Sequence, residues 1–314
     1  MTLNQLYYAT KLNKFKNFKK ASEHLGISQP ALSLQVQKLE EEIGISLFNR
    51  STKPLEVTED GELFLTKAQE LLNSANQLSR FSQEITESFV GQLKVGIIPT
   101  LAPFLIPLFT TKIQDKYPNF MLDIHESITE NVVKSVKLGE YDVGIISTPI
   151  TTPGIQSIPL FYEEFYLYIS DKSMGDTHEM KLEDIPYDNL WLLDEGNCFR
   201  DQVNDLCDLN KVRKEKSFIY HSNSIDSLIR MVDSMGGVTI LPELSTLSLS
   251  GDQEANLRSI SGIKKVREIS LIVTKNFDKR RFIQKLEEHI KSNIPKHMLK
   301  KENFEIVDPN IHLK

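Results

Sequence analysis

The sequence is poor in cysteine and has neither a long apolar run nor an excess of positive charge. Its 314 residues include two cysteines and one tryptophan. The longest apolar stretch, VGIIPTLAPFLIPLF at 95–109, is broken by three prolines and is shorter than the roughly 20 residues of a membrane-spanning helix. The start, MTLNQLYYATKLNK, lacks the basic and apolar regions of a secretory signal. We therefore expect a cytoplasmic protein without a membrane span, whose thiols are kept reduced.

Charge is distributed unevenly along the chain. The net charge of −6 would by itself argue against nucleic-acid binding. Residues 1–60, however, contain eight basic and seven acidic side chains, and five lysines lie within residues 11–20. The acidity therefore belongs to the remainder, and an N-terminal nucleic-acid-binding segment stays possible. The lysines fit a solvated helix face equally well.

The first 60 residues predict a helix-turn-helix. Two helical runs are separated by the tripeptide GIS, with Ser28 as the N-cap of the second run and Pro30 in its first turn. The second run has one apolar face and a polar stripe formed by Gln29, Ser33 and Gln37. This outline is typical of a DNA-binding helix, although such side chains also occur as ordinary surface residues.

The rest of the chain predicts a linker helix and an α/β domain. The segment LFNRSTKPLEVTEDG predicts a small wing, and the long amphipathic helix after it predicts pairing with a second copy of the chain. From Gly91 strands alternate with helices, which predicts a parallel sheet. A second α/β series follows, and the last strand and helix return to the first sheet. The polar tail from Pro295 is expected to be mobile.

Many positions in the first 60 residues have the spacing of a known DNA-binding module. They are Ala21, Leu25, the run Ser28-Gln29-Pro30-Ala31, Ser33, Leu39-Glu40, Gly44, Leu47-Phe48, Arg50, Thr58 and Gly61. By these residues the segment resembles the winged helix-turn-helix of LysR-type transcriptional regulators. The resemblance implies that the helix from Gln29 enters the major groove of double-stranded DNA. The DNA-contacting residues would be Ser28, Gln29, Pro30, Ser33 and Gln37, with Arg50 and Lys53 of the wing on phosphate or in the minor groove.

The same family implies the architecture of the whole chain. The fold class is α/β, with an N-terminal all-α winged helix-turn-helix at 1–58, a linker and dimerisation helix at 59–90 and a regulatory domain at 91–314. This domain would have two lobes, as in periplasmic binding proteins. Lobe I would comprise about 91–162 and 268–295, and lobe II about 163–267.

Both cysteines lie in one segment, GNCFRDQVNDLC, at 196–207. The segment resembles the GHC-x-RDQ…C pattern of the OxyR, or hydrogen peroxide-sensing, subfamily. The flanking segments VGIIPTLAPFLIP, HESIT, PLFYE and GGVTILP agree with that subfamily too. One position departs from the pattern, since Asn197 replaces the usual histidine.

A thiol is mostly protonated at neutral pH, so a peroxide sensor must stabilise the thiolate. We expect a helix that starts at Cys198 with Asn197 as N-cap, which places the sulfur at the positive end of the helix dipole. Arg200 would add positive charge, and Asp201 would oppose it. By resemblance, Arg267 approaches the thiol while Thr100 and Thr129 hold the peroxide. Without the resemblance, the sequence favours a structural role for the two threonines over peroxide binding.

The spacing of the cysteines bears on what they do. Nine helical steps separate Cys198 from Cys207 by about 13 to 14 Å, whereas a disulfide needs Cα atoms about 4.4 to 6.8 Å apart. Oxidation would therefore have to unwind the helix. The alternative is two inert buried cysteines that pack as small apolar side chains.

We interpret the sequence as a transcription regulator rather than an enzyme. Peroxide would oxidise Cys198, Cys207 would resolve the product to a disulfide, and DNA binding at oxidative-stress genes would change. The expected partners are promoter DNA, hydrogen peroxide, further copies in a homodimer or homotetramer, RNA polymerase and a glutaredoxin- or thioredoxin-type reductant, with no cofactor and no metal. One alternative is a LysR-type regulator that binds a small metabolite between the lobes, and another is a peroxidase-like thiol enzyme.

Overall fold

The computed structural model describes most of the chain as two compact units, Met1–Ser88 and Phe89–Lys314. The described residues are 1–52, 54–84, 91–170, 178–186, 189–194, 197–207, 220, 222–262, 264–275, 277, 279–301 and 304–309, with backbone only at 76–84. No helix in these ranges is long and apolar enough to span a membrane.

The first unit is a winged helix-turn-helix followed by a long helix. Its elements are α1 (Leu3–Phe15), α2 (Phe18–Leu25), α3 (Gln29–Ile43), the antiparallel strands β1 (Phe48–Asn49) and β2 (Glu56–Val57), and α4 (Glu59–Glu84). The predicted helix-turn-helix, wing and long helix are therefore confirmed. The apolar faces of α1 and α3 meet in a core that includes the fully buried Leu6, Leu12, Leu32 and Leu39.

Local capping explains where α2 and α3 begin and end. The side chain of Asn17 accepts from the Lys20 N–H, and Gly26 ends α2 in the left-handed region at φ 65°. Ser28 then caps α3 by accepting from the Ala31 N–H at 3.3 Å. A left-handed glycine followed at once by a serine cap produces the tight turn between the two helices.

The second unit contains two β-sheets with helices packed on them. In chain order its elements are β3 (Gly91–Ile97), α5 (Ala102–Lys116), β4 (Phe120–Glu126), α6 (Thr129–Lys137), β5 (Val143–Thr148), β6 (Ile155–Glu163), β7 (Phe165–Ile169), β8 (Glu179–Lys181), β9 (Leu190–Trp191), α7 (Cys198–Cys207), α8 (Ile225–Met235), β10 (Val238–Pro242), α9 (Glu243–Thr246), α10 (Gly251–Glu254), β11 (Leu257–Ser261), β12 (Lys265–Thr274), α11 (Arg280–Asn293) and β13 (Glu305–Ile306). The first sheet has the order β13-β12-β5-β3-β4 with β6 also paired to β12, and the second has the order β8-β11-β7-β10-β9.

The predicted parallel arrangement is confirmed for the first three strands, although each sheet as a whole is mixed. Strands β3, β4 and β5 are parallel, but β12 runs antiparallel to both β5 and β6. The chain leaves the first sheet at the end of β6 and returns at the start of β12, and these two points lie side by side. A strand that returns beside the one that left must run in the opposite direction. In the second sheet, β7 is likewise antiparallel to β10 and β11.

The tail after Pro295 packs against the first sheet, so the expectation of a mobile tail is wrong for its described part. A 3-10 turn at Lys296–Leu299 buries Met298, and β13 adds a parallel strand to the start of β12. Val307 is 2% exposed. The first two residues of β12 lie beyond its pairing with β5 and β6 and offer backbone hydrogen bonds to β13. The two apolar side chains supply the burial that a polar tail would otherwise lack.

A buried ion pair joins the two points at which the chain crosses between the sheets. Glu163 ends β6 and lies opposite Arg267 in the ladder with β12. Both side chains are fully buried, and Arg267 Nη1 donates to Glu163 Oε1 at 2.9 Å. The Leu244 N–H donates to Glu163 Oε2 at 3.1 Å. Burial raises the pKa of Glu163, while the Arg267 guanidinium and the Leu244 N–H act against that rise.

Removing the cation should be strongly destabilising. In Arg267→Met, the carboxylate of Glu163 stays buried without its partner, and we expect the free energy of unfolding to fall by about 3–5 kcal/mol. Urea denaturation at neutral pH measures the loss. The deficit should shrink as the pH is lowered, because protonation of Glu163 removes the buried charge, whose pKa is already raised by burial.

The matched control is the double variant Arg267→Met/Glu163→Gln, in which no charge is left buried. It should recover most of the stability that the single variant loses. Additive losses from the two substitutions would contradict a coupled pair.

Candidate functional site

The first candidate site is the outward face of α3. Gln29, Pro30 and Gln37 are exposed and Ser33 is half-buried, so the helix presents the predicted polar residues, Ser33 less fully than the others. Gln37 Nε2 donates to Glu41 Oε1 at 2.9 Å, so its amide already has a partner on the same helix. Lys53, the other predicted wing contact, lies outside the described residues.

Arg50 has a structural partner that the sequence did not reveal. Its Nη2 lies 2.6 Å from Glu40 Oε2, and the other oxygen of Glu40 accepts from the N–H groups of Leu47 and Phe48 at 2.7 and 3.2 Å. The guanidinium lies 5.8 Å from the ring centroid of Phe18. Glu40 therefore ties the wing to α3. Arg50 remains 39% exposed and keeps N–H groups that face solvent.

The second candidate site is the thiol helix α7. It begins at Cys198 and ends at Cys207, and the two thiols are not joined in a disulfide, the first being buried and the second half-buried. Asn197 is buried, and its Oδ1 accepts from the Phe199 N–H at 3.0 Å. Its Nδ2 donates to Asn223 Oδ1 at 3.1 Å, which fixes the orientation of the amide. The predicted helix and its predicted N-cap are both confirmed.

The hydroxyl of Thr100 contacts the guanidinium of Arg267. Arg267 Nη2 donates to Thr100 Oγ1 at 2.8 Å. The guanidinium carbon lies 5.2 Å from the ring centroid of Phe199, the residue after Cys198. The hydrogen bonds of Arg267 therefore go to Glu163 and Thr100, and its position beside α7 is defined by the aromatic ring. Its Nε is buried without a hydrogen-bond partner.

Thr129 starts α6 and is 5% exposed. It follows β4, while Thr100 follows the neighbouring parallel strand β3. Both hydroxyls therefore lie beyond the carboxyl ends of adjacent strands, where open α/β sheets bind ligands.

Arg200 and Asp201 are half-buried on α7, and Arg200 Nη1 donates to the Leu193 carbonyl at 3.1 Å. Among the described residues, no cluster of His, Cys, Asp and Glu side chains has the arrangement of a metal site.

Gln202 anchors the middle of α7 and was not identified from the sequence. Its side chain is fully buried, and Nε2 donates to Ser147 Oγ of β5 and to the Val307 carbonyl, each at 3.0 Å. One turn further on, Asp205 pairs with Lys265 of β12 at 3.4 Å. The sequence signal for Gln202 was its place in the RDQ motif, and for Glu163 its place in PLFYE. Neither sequence segment by itself reveals which residues Gln202 and Glu163 bind in the folded protein.

Comparison with known proteins identifies the family of each of the two units. Residues 3–62 match the family of bacterial regulatory helix-turn-helix proteins of the lysR family, and residues 86–294 match the LysR substrate binding domain. A hydrogen peroxide-inducible genes activator of Haemophilus influenzae is 28% identical over 79% of this chain and 82% of its own length. The regulator EstR of Acinetobacter baylyi is 30% identical over 78% and 80%.

Among solved structures, a full-length cysteine-to-aspartate variant of OxyR from Pseudomonas aeruginosa matches with a TM-score of 0.75 and 29% identity. The match covers 94% of this chain and 99% of the other. The resemblance noted in the sequence is thus confirmed across both units of the molecule. Such proteins regulate transcription and are not enzymes. This chain belongs to the LysR family of DNA-binding transcriptional regulators and is similar to its OxyR members.

Proposed function

We propose that this LysR-family regulator senses hydrogen peroxide through Cys198 and Cys207 and responds by changing how it binds DNA. The observation that carries the proposal is that the two thiols form the first and last residues of one helix. Similarity to peroxide-inducible activators and to OxyR supports the identity of the oxidant. The proposed reaction has two steps, oxidation of Cys198 to a sulfenic acid and its closure to a disulfide with Cys207.

The first step is attack of the Cys198 thiolate on one peroxide oxygen. The O–O bond breaks, the sulfur is oxidised to a sulfenic acid, and the other oxygen leaves as water after taking up a proton. The start of α7 would supply positive potential near the sulfur. By the family resemblance Arg267 would add to it, although its guanidinium lies on the Phe199 ring and pairs with Glu163. Thr100 accepts from Arg267, so its own proton is available to a peroxide oxygen, and by the same resemblance Thr129 would help to hold the peroxide.

The second step changes the fold. Cys207 attacks the sulfenic sulfur, a disulfide forms and a second water leaves. Nine helical steps hold the two Cα atoms about 13 to 14 Å apart, and a disulfide requires at most about 6.8 Å. Unwinding of α7 therefore accompanies oxidation. It would break the bonds from Gln202 to Ser147 and Val307, and the Asp205–Lys265 pair.

Assembly and reset belong to the same proposal. Leu63 and Leu71 are exposed on α4, at 69% and 47%, which supports pairing of this helix with a second copy. A homodimer or homotetramer would carry the change in α7 to paired DNA-binding units. RNA polymerase as target and a cellular thiol reductant for reset are carried over from the family resemblance.

The first prediction from this proposal concerns the identity of the sensor. After brief sub-stoichiometric peroxide, peptides that contain Cys198 and Cys207 should be joined by a disulfide, as measured by mass spectrometry of the full-length protein. Cys198→Ser should bind DNA but lose the peroxide-dependent change in its footprint. Cys207→Ser should stop at a sulfenic acid that a dimedone-type reagent traps.

The similarity to EstR makes a metabolite-responsive regulator the second candidate. A protein of that kind would keep both thiols free after the same peroxide treatment, and its footprint would ignore Cys198→Ser. That pair of results would refute the redox proposal and leave the DNA-binding assignment intact.

The second prediction separates the two chemical steps at Asn197. Loss of an N-cap weakens a helix by about 0.5–2 kcal/mol. In Asn197→Ala, sulfenic acid formation should slow because the helix start no longer holds the sulfur at its positive end. Disulfide closure should accelerate because α7 unwinds more readily. Stopped-flow traces of proteins with and without the Cys207→Ser substitution resolve the two rates, because the substituted protein can form the sulfenic acid but not the disulfide.

Asn197→Ser is the matched control, since a serine hydroxyl also caps a helix. Its rates should lie closer to those of the natural protein than to those of Asn197→Ala. Equal rates in all three proteins would mean that the cap tunes neither step.

The third prediction concerns the C-terminal segment at 304–309. The N–H of Glu305 donates to the Lys264 carbonyl, and that of Val307 donates to the Val266 carbonyl at 2.9 Å. Because Gln202 holds the Val307 carbonyl, unwinding of α7 should loosen this segment. Amide hydrogen exchange of peptides that span it should accelerate on oxidation. In Cys207→Ser treated with peroxide, amide exchange of this segment should stay as slow as in the reduced natural protein. Equal protection of the segment in the reduced and disulfide forms of the natural protein would contradict the coupling.

A further inference from the structure

The outward face of α3 is apolar at its centre. An α-helix turns about 100° per residue, so Pro30 lies about 40° to one side of Leu34 and Ala31 about 60° to the other. All three are exposed, Leu34 by 51%. Two residues of the predicted polar stripe, Gln37 and Ser33, lie about 60° and 100° from Leu34 on the Pro30 side, while Gln29 lies about 140° away at the start of the helix.

Leu34 has no role in the core of the first unit. The buried residues Leu32, Val36 and Leu39 lie about 140° to 160° away around the helix and pack against the other helices. A single exposed leucine needs no explanation on an ordinary surface. On this helix it lies at the middle of the face that a helix-turn-helix protein lays in the major groove, next to two further exposed apolar residues.

Charge indicates which end of α3 approaches DNA. Glu41 and Glu42 are exposed at the C-terminal end, where phosphates would repel them. The Ser28 end has no acidic side chain in its first turn and is the positive end of the helix dipole, which favours phosphate. Leu34 lies five residues after Gln29, within the half of α3 that enters the groove. From Pro30 to Leu34 the helix rises about 6 Å, which corresponds to about two base-pair steps.

We propose that Leu34, flanked by Ala31, determines DNA sequence preference by packing against the C5-methyl group of thymine. Thymine is the base that presents a methyl group in the major groove, and a leucine has no hydrogen-bonding group with which to read any other edge. Leu34 would thus select thymine over cytosine at one position in each half-site. The amide side chain of Gln37, on the Pro30 side of Leu34, would bond a neighbouring base.

The test compares thymine with deoxyuridine, which lacks only the methyl group. Duplexes that bind the reduced, full-length protein are first selected from a random pool. Each thymine of the selected sites is then replaced by deoxyuridine, and binding is measured for the natural protein, Leu34→Ala and Leu247→Ala. Leu247 is an equally exposed leucine in the second unit and serves as the matched control.

The expected result is a coupling between one base and one side chain. At one thymine per half-site, deoxyuridine should weaken binding of the natural protein and of Leu247→Ala about four-fold, the equivalent of one buried methyl group. In Leu34→Ala the same replacement should have little effect. Leu34→Met, which keeps an apolar side chain, should retain a penalty.

Three results would overturn the proposal. One is an equal deoxyuridine penalty in the natural protein and Leu34→Ala, another is selected sites without a shared thymine, and the third is a loss in Leu34→Ala that is uniform over all duplexes. Circular dichroism of Leu34→Ala checks that the first unit is folded. If Leu34→Ala is unfolded, the same binding comparison is made with Leu34→Met and Leu34→Gln.

Discussion

The regulatory unit depends on one geometric constraint, which is that a helix cannot bring its first and tenth residues together. Cys198 and Cys207 are those residues in α7. The helix is held by an Asn197 cap, by the stacking of Phe199 on Phe165 at 5.8 Å and by the two bonds of Gln202. Each such interaction contributes about 1 kcal/mol. Under the redox proposal, a covalent bond between the sulfurs would oppose all of these interactions at once, so the segment would have two alternative conformations rather than a range of intermediates.

The contacts of α7 explain how a local change would spread. Gln202 joins the helix to β5 in the first sheet and to the carbonyl of Val307, which lies 105 residues along the chain. Asp205 joins it to Lys265 at the start of β12. The helix therefore connects three distant parts of the chain, two of them beside the crossing between the sheets. The buried pair of Glu163 and Arg267 holds that crossing and also contacts Phe199 through the guanidinium.

Local features were predictable from the sequence, and long-range ones were not. The start of α7 at Asn197, the turn at Gly26 and the cap at Ser28 follow from residues within a few positions of one another, so composition and spacing determine them. The antiparallel direction of β12 depends on where the chain crosses between sheets. The partner of Arg267 depends on strand register, which periodicity does not specify. The packed tail was missed because two apolar residues in a polar segment give no periodic signal.

Asn197 illustrates what an amide achieves in place of the histidine of the pattern that this segment resembles. Its oxygen accepts from the Phe199 N–H, and its nitrogen donates to Asn223, so the side chain uses both of its functions at once. A neutral imidazole can also accept and donate, but protonation near its ordinary pKa of about 6.5 would convert the acceptor to a donor and break the cap. An amide does not titrate, so the start of α7 keeps its hydrogen bonds across the physiological pH range. Under the redox proposal, positive potential at Cys198 would come from the backbone N–H groups at the start of the helix.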